Sequence, residues 1–481
     1  MHNEIHLKNF GSLRLESSYD YERFLWIISY YIQIIIWSII LNYGTDQIVR
    51  NVLIGSFLLF VILKLLCFYE ERNNSNIMML VNVTLFLVSL GHYFWIQGFM
   101  ISKYYIAPYL TESWTDSIRE INDTYFLDSN YVYNSLYSLL SGGGAWCSNL
   151  GAYFTRLTFK LFLFLGGQDK PNLYFILLIS YASYLSSTII FTRIVNLYLD
   201  KYQDYFSRYV LAYWLFPLHF VIVINLLKDV YLMLSASIVI YYLLYKNQNA
   251  IKINTHYYAS YKLLMLGLLL GYMYRLAYGI AFTVVIFLSQ IKLRKFFIPK
   301  IIIVMLALMV NYNSIIAVLY NSLYASRVFT QNSVSKFLFD GSFMDRVYLL
   351  PLKWLILYTS PMPIIDMDSV LRIGEWFAGF FNTCLLPVIF LGIYDCIIDK
   401  STLRTFHITL VQMTVIILTA VAAMGFANSC QRYEVVLFPV YMLFFIKSIE
   451  QKKFINIRYI YIVYIPLLLF AIISYIFYKY I

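Results

Sequence analysis

The chain has 481 residues, of which 61% are hydrophobic and 13% charged, and it carries a formal net charge of +11. Soluble domains hold about 45–50% apolar residues and about 25% charged ones, so this composition excludes a water-soluble globular protein and specifies a polytopic membrane protein. The excess of Lys and Arg is then an orientation signal on cytoplasmic loops, and no nucleic-acid partner is expected.

The N-terminal stretch "MHNEIHLKNFGSLRLESSYDYER" is polar and has no apolar core of its own. No cleavable signal peptide is expected there, and the first span, from Phe24, acts as its own targeting signal. Apolar runs predict spans near 24–42, 52–69, 77–96, 173–192, 209–227, 230–245, 300–320, 376–394, 405–425, 435–447 and 459–478. The run from Val210 to Tyr245 would make one helix of about 54 Å, against a hydrocarbon core of about 30 Å. Two short spans joined by a polar tip at Lys228–Asp229 fit better. Segment 263–289 has basic flanks on both sides, which predicts a hairpin (two crossings or a re-entrant dip) with Arg275 at its tip. Each half is roughly 20 Å of helix, so the tip is expected to lie recessed within the membrane.

The basic residues sort onto alternate loops. Arg23, Arg72, Arg193, Arg208, Lys246, Lys262, Arg294, Lys400, Arg404, Lys447 and Arg458 all belong to one set. Placing that set in the cytoplasm puts the N-terminus inside, the C-terminus outside and about 13 spans between. The expected fold is an all-α polytopic membrane protein of about 11–14 transmembrane helices, one integral membrane domain over 1–481. Two long periplasmic loops, 97–172 and 321–372, interrupt it and contain amphipathic or re-entrant helices.

In the first long loop, Tyr133, Leu136, Tyr137 and Leu140 recur at helical spacing and suggest a helix lying in the interface, ended by the glycines of "SGGGAW". The apolar piece after it carries Arg156 and Lys160 on one face, cations aimed at water or at an anionic ligand. In the second, Asp340, Asp345, Arg346 and Lys353 precede a short apolar piece that ends in "SPMP", too short to span. Backbone broken at such depth is tolerated only where protein or a water-filled cavity shields it. Arg432, in "NSCQRYE", belongs to the same outer level as Lys228, Asp229 and Arg275. An ionisable group recessed in the membrane defaults to a functional role, the alternative being an arginine that snorkels to lipid phosphates. For Lys228 and Asp229 the alternative is a pair that neutralises itself at the headgroup level.

The five cysteines, Cys67, Cys147, Cys384, Cys396 and Cys430, show no metal-ligand spacing and no CxxC, and read as scattered apolar residues. A Cys147–Cys430 disulfide stays open. No P-loop, no GxGxxG and no HExxH is present, so no cofactor or metal is expected.

Cations with a few carboxylates under amphipathic covers suit an anionic amphiphile, above all a lipid diphosphate sugar donor. Guanidinium groups match phosphate oxygens bidentately and stabilise a pyrophosphate leaving group. A carboxylate such as Asp128 would deprotonate the attacking sugar hydroxyl. Three patches carry a resemblance: "FPLHFVIVINLLKDVYLMLSASIVIYYLLY", "RVYLLPLKWLILYTSPMPIID" and "RYEVVLFPVYML". With the architecture, they resemble bacterial O-antigen polymerases of the Wzy type, and the last patch is also similar to lipid-linked sugar transferases of the GT-C class. The resemblance implies an inner-membrane enzyme that joins undecaprenyl-diphosphate-linked oligosaccharide repeat units at the periplasmic face, in contact with membrane lipid and a chain-length regulator. Asp128, Arg275 and Arg346 are then the catalytic candidates, and Arg156, Lys160, Lys228, Asp229, Lys353 and Arg432 the substrate-binding ones. Three alternatives remain open: a GT-C-like transferase using a polyprenyl-phosphate sugar and relying on Asp128 or Asp123, a flippase or transporter, and an assembly subunit.

Overall fold

The computed structural model describes residues 3–41, 44–66, 71–104, 173–199, 208–249, 261–290, 354, 358, 370–423, 435–450, 461–462, 464–466 and 469. Among them there is no strand. The helices are α1 (Asn3–Ile40), α2 (Thr45–Leu66), α3 (Glu71–Tyr104), α4 (Leu173–Leu199), α5 (Arg208–Trp214), α6 (Pro217–Ile224) and α7 (Asp229–Asn249). They continue as α8 (Tyr261–Tyr274), α9 (Leu276–Gln290), α10 (Val370–Ile398), α11 (Arg404–Ala423) and, after a 3-10 turn at Val435–Leu437, α12 (Phe438–Glu450). The expected span 300–320 and both long loops lie almost wholly outside the described residues.

Six of these helices, α1, α2, α3, α4, α7 and α10, are long and apolar enough to cross a membrane. The coarse expectation of an all-helical, multi-span membrane protein therefore holds. Burial separates centre from rim. Of the apolar windows of α7 and α4, 83% and 72% are buried, against 22% and 28% for α1 and α2. In lipid no hydrophobic force draws helices together, and hydrogen bonds join the central helices amid their packed aromatic and aliphatic side chains. Ser187 of α4 meets Ser237 of α7 at 2.8 Å, and Thr84 of α3 meets Tyr181 of α4 at 2.8 Å. The outward faces of α1 and α2 carry Phe24, Ile28, Ile39, Leu53 and Phe57, all exposed as lipid-facing side chains should be.

The expected span 209–227 is a broken one. Pro217 has no N–H to give to the carbonyl of Tyr213, so the helix stops at Trp214 and restarts at Pro217 as the first residue of α6. The break takes the helical donor from two carbonyls, leaving Tyr213 O only a long bond from Phe216 N–H at 3.4 Å, and side chains serve both. His219 Nδ1 meets the Tyr213 carbonyl at 3.1 Å, and the Tyr184 hydroxyl donates to that of Trp214. Because a carbonyl only accepts, the bond fixes His219 as the tautomer protonated at Nδ1. Four rings, Tyr184, Tyr213, Phe216 and Phe438, pack around that buried imidazole.

Candidate functional site

The site starts with how α6 ends. Asn225 is the C-cap, and the next two residues close a Schellman turn: Leu226 N–H donates to Val223 O and Leu227 N–H to Ile222 O, both at 3.0 Å. The turn requires a left-handed residue after the cap, a place glycine usually takes. Here Leu226 takes it, with φ of 55°. Its side chain is 1% exposed, so packing holds it against a backbone preference of about 1–2 kcal/mol. From α3, His92 Nδ1 approaches the Ile224 carbonyl at 3.4 Å. The tip expected at Lys228–Asp229 thus falls at residues 225–228, and Asp229 opens α7, where a carboxylate suits the positive end of the helix dipole.

The second component is the α8–α9 hairpin. One residue, Arg275, separates the two helices and serves both ladders: its N–H donates to Gly271 O at 2.9 Å, and its carbonyl accepts from Tyr278 N–H at 2.9 Å and Gly279 N–H at 3.2 Å. The chain reverses there. Tyr272 and Thr283 meet hydroxyl to hydroxyl at 2.8 Å, and a Cβ placed on Gly271 would lie 3.2 Å from the Cα of Gly279. At 279 a Cβ would fall 2.8 Å from Tyr272 N, so that approach requires glycine there, and at 271 glycine spares a tight contact. The expectation of a hairpin with Arg275 at its tip is met.

α8 runs antiparallel to α7, with the Ser235 hydroxyl donating to Gly267 O at 2.5 Å and the rings of Tyr231 and Tyr274 stacked at 4.3 Å. This register sets the tip against the start of α7. Arg275 Nη2 lies 3.1 Å from Asp229 Oδ1, the carboxylate side chain 0% exposed and the guanidinium 14%. Counted from the Ser187–Ser237 contact, α4 continues about 9 Å further than α7 toward this end, so the pair is recessed below the end of α4.

The structure thus brings together two residues chosen from sequence, and the partnership differs from the neighbour pairing considered there. Asp229 pairs with Arg275 across two elements, while half-buried Lys228 precedes it in the turn. Asp128, Arg156, Lys160, Arg346, Lys353 and Arg432 lie outside the described residues. Sequence reasoning passed over His92 and His219, lone histidines in apolar runs, whose only signal was their polarity at that depth. Among the described residues no group of three or more His, Cys, Asp or Glu is placed to hold a metal, and Cys384 and Cys396 are free thiols.

A guanidinium at a hairpin tip, 3.1 Å from a buried carboxylate, is a positioned cation. Its planar fork of five donors suits phosphate or carboxylate oxygens. Comparison with known protein families, with curated proteins and with solved structures finds no match to this chain.

Proposed function

We propose that the chain is a glycosyltransferase-type polymerase of the inner membrane, joining undecaprenyl-diphosphate-linked oligosaccharide repeats at the periplasmic face. The observation that carries the reading is the Arg275–Asp229 pair, an arginine kept in place at a recessed hairpin tip by a fully buried carboxylate. In this reading Arg275 binds the diphosphate of the donor. A hydroxyl oxygen of the acceptor attacks the anomeric carbon, the bond from that carbon to the diphosphate oxygen breaks, and undecaprenyl diphosphate leaves with the bonding pair. The hydroxyl proton passes to a carboxylate, for which Asp128 is the candidate. Arg346 completes the charge on the leaving group, and Arg156, Lys160, Lys228, Lys353 and Arg432 supply the basic surroundings. The N-terminus is cytoplasmic, and a chain-length regulator is the expected protein partner.

The test is a deletion in the native strain complemented by the double variant Asp229→Asn/Arg275→Gln, which removes both charges and strands neither. The expected result is normal protein level with surface polysaccharide capped by a single repeat unit. A full ladder at normal protein level would remove Arg275 from the reaction.

A second reading is favoured by the α5–α6 break. Discontinuous spans with buried polar groups at the break are a mark of transporters. In that reading the chain moves the same class of lipid-linked substrate, and its deletion abolishes even the first repeat unit on the surface.

A further inference from the structure

At the opposite end of the bundle, about 28 Å from the Asp229 level along α4 and α7, a second polar cluster joins four helices. It forms around residues 399–403, which connect α10 to α11. Ser401 caps α11: its Oγ accepts from Leu403 N–H at 3.2 Å, and its carbonyl accepts from Arg404 N–H at 3.1 Å. Ser401 also binds the carboxylate before it, through N–H to Asp399 Oδ1 at 3.1 Å and Oγ to Oδ2 at 2.5 Å. His407, one turn into α11 and 1% exposed, brings Nδ1 to Asp399 Oδ2 at 2.6 Å. Its Nε2 meets the Tyr198 hydroxyl of α4 at 2.9 Å, and Lys447 Nζ of α12 reaches Asp399 Oδ2 at 3.3 Å.

One carboxylate oxygen therefore accepts from Ser401, His407 and Lys447 at once. A neutral imidazole completes this arrangement: Nδ1–H donates to Asp399 and Nε2 accepts from Tyr198. An imidazolium would add a second cation to an oxygen already serving Lys447, inside a buried cluster. Other ionisable groups lie around it. α10 contributes Asp395 and Cys396 one turn before Asp399. Lys400 and Arg404 are exposed, and α7, which also packs on α11, has Tyr241, Tyr242, Tyr245 and Lys246 toward this end. α9 packs on α11 too, and its one ionisable side chain is Tyr278.

Burial by itself would raise the Asp399 carboxyl. The two Ser401 hydrogen bonds and the ammonium of Lys447 outweigh it and hold the group well below the ordinary carboxylate range. Asp399 thus stays an anion through mild acid, and the group left to respond is the imidazole.

We propose that Tyr198, Asp399, His407 and Lys447 form a proton-responsive clasp, closed around a neutral His407 and released when acid on that side of the membrane protonates it. Release frees the α10–α11 connection from α4 and α12. The sign follows from linkage. Once the clasp opens, the imidazole reaches water and takes up a proton near its ordinary value of about 6.5, so acid favours the open form. This inference does not depend on glycosyl transfer.

The test uses the purified full-length chain in lipid nanodiscs, with thermal unfolding followed between pH 7.5 and 5.5. The wild-type midpoint is expected to fall by a few degrees across that range, and His407→Gln to lose most of the fall. Lys447→Gln is the sharper variant. Without the ammonium, Asp399 and His407 become an ordinary ion pair, so acid should now raise the midpoint. A His407→Gln protein that keeps the wild-type slope overturns the proposal, and so does a Lys447→Gln protein with an unchanged slope. Should His407→Gln fail to accumulate, the Lys447→Gln comparison decides alone.

Discussion

Arg275 and Asp229, brought from a hairpin tip and a helix start, meet at 3.1 Å with the carboxylate wholly buried. Removing one partner strands the other, which in buried pairs costs about 3–5 kcal/mol, whereas removing both together costs far less. Asp229→Ala and Arg275→Ala should each lower stability by about 3 kcal/mol, and Asp229→Asn/Arg275→Gln by no more than about 1–2 kcal/mol. Denaturation of the four purified proteins measures this. A double variant that costs the sum of the two singles would show that the residues do not support each other.

The shape of the cation matters as well as its charge if the proposed function is right. Arg275→Lys keeps the charge and loses the planar fork, so polymerisation should drop about tenfold, while loss of the donor altogether should cost about 10²–10³-fold. Chain extension by purified enzyme on lipid-linked repeats provides the assay. Equal rates for Lys and Arg at 275 would argue against bidentate recognition of a phosphate.

Close helix approach makes a graded prediction. A Cβ on Gly392 of α10 would collide with the backbone carbonyl of Phe444 in α12, which cannot move aside. One on Gly279 would lie 2.8 Å from Tyr272 N, across the hairpin, whereas Gly44 has nothing within 4 Å. Alanine should therefore cost about 3 kcal/mol at 392, about 2 kcal/mol at 279 and within about 0.5 kcal/mol at 44. Any other order in a thermal-unfolding series counts against these packings.

Leu226 sets two effects against each other. Glycine there would relieve the positive φ, worth about 1–2 kcal/mol, but would also delete a side chain that is 1% exposed, which costs about 2–5 kcal/mol. Packing wins on these magnitudes, and Leu226→Gly should destabilise by about 2 kcal/mol. A stabilised variant would mean that the turn, and not its side chain, limits stability.

For Asp399 the sign of the pH dependence is fixed by its depressed carboxyl. Its contribution is fully present above the unfolded carboxyl value of about 3.9 and is lost only as pH falls through the lower folded value. In the His407→Gln background, the gap in stability between Asp399 and Asp399→Asn should stay constant from pH 8 to 5 and close only below about pH 4. A gap that closes between pH 6 and 5 would mean the carboxyl is not held down.

Much of the fold was legible because the bilayer imposes it. Span length and hydropathy located the apolar stretches of α1 to α4, α7 and α10 and the helix α11, though α1 begins 21 residues before its expected span, and basic flanks on both sides of 263–289 foretold the Arg275 hairpin. What sequence could not supply was pairing across elements. Lys228 beside Asp229 suggested a local pair, and only the close packing of α8 and α9 at Gly267, Gly271 and Gly279 shows that Arg275 reaches the same carboxylate. The clasp was missed for the same reason. Lys400, Arg404 and Lys447 read as orientation charges, and nothing local to Asp399 announces Tyr198 or Lys447. Only its cap, Ser401 just ahead of an apolar helix, is written in the sequence beside it.

The break at Pro217 carries a consequence for how this chain can change over generations. The proline leaves the Tyr213 carbonyl without its usual donor, and His219, two positions on, supplies the replacement. An alanine at 217 would bring back the amide and leave the imidazole with nothing to do at that depth. A leucine at 219 would leave that carbonyl with only the long bond from Phe216 N–H, at 3.4 Å. The two positions behave as a single inherited unit, and descendants of this chain should keep both residues or discard both.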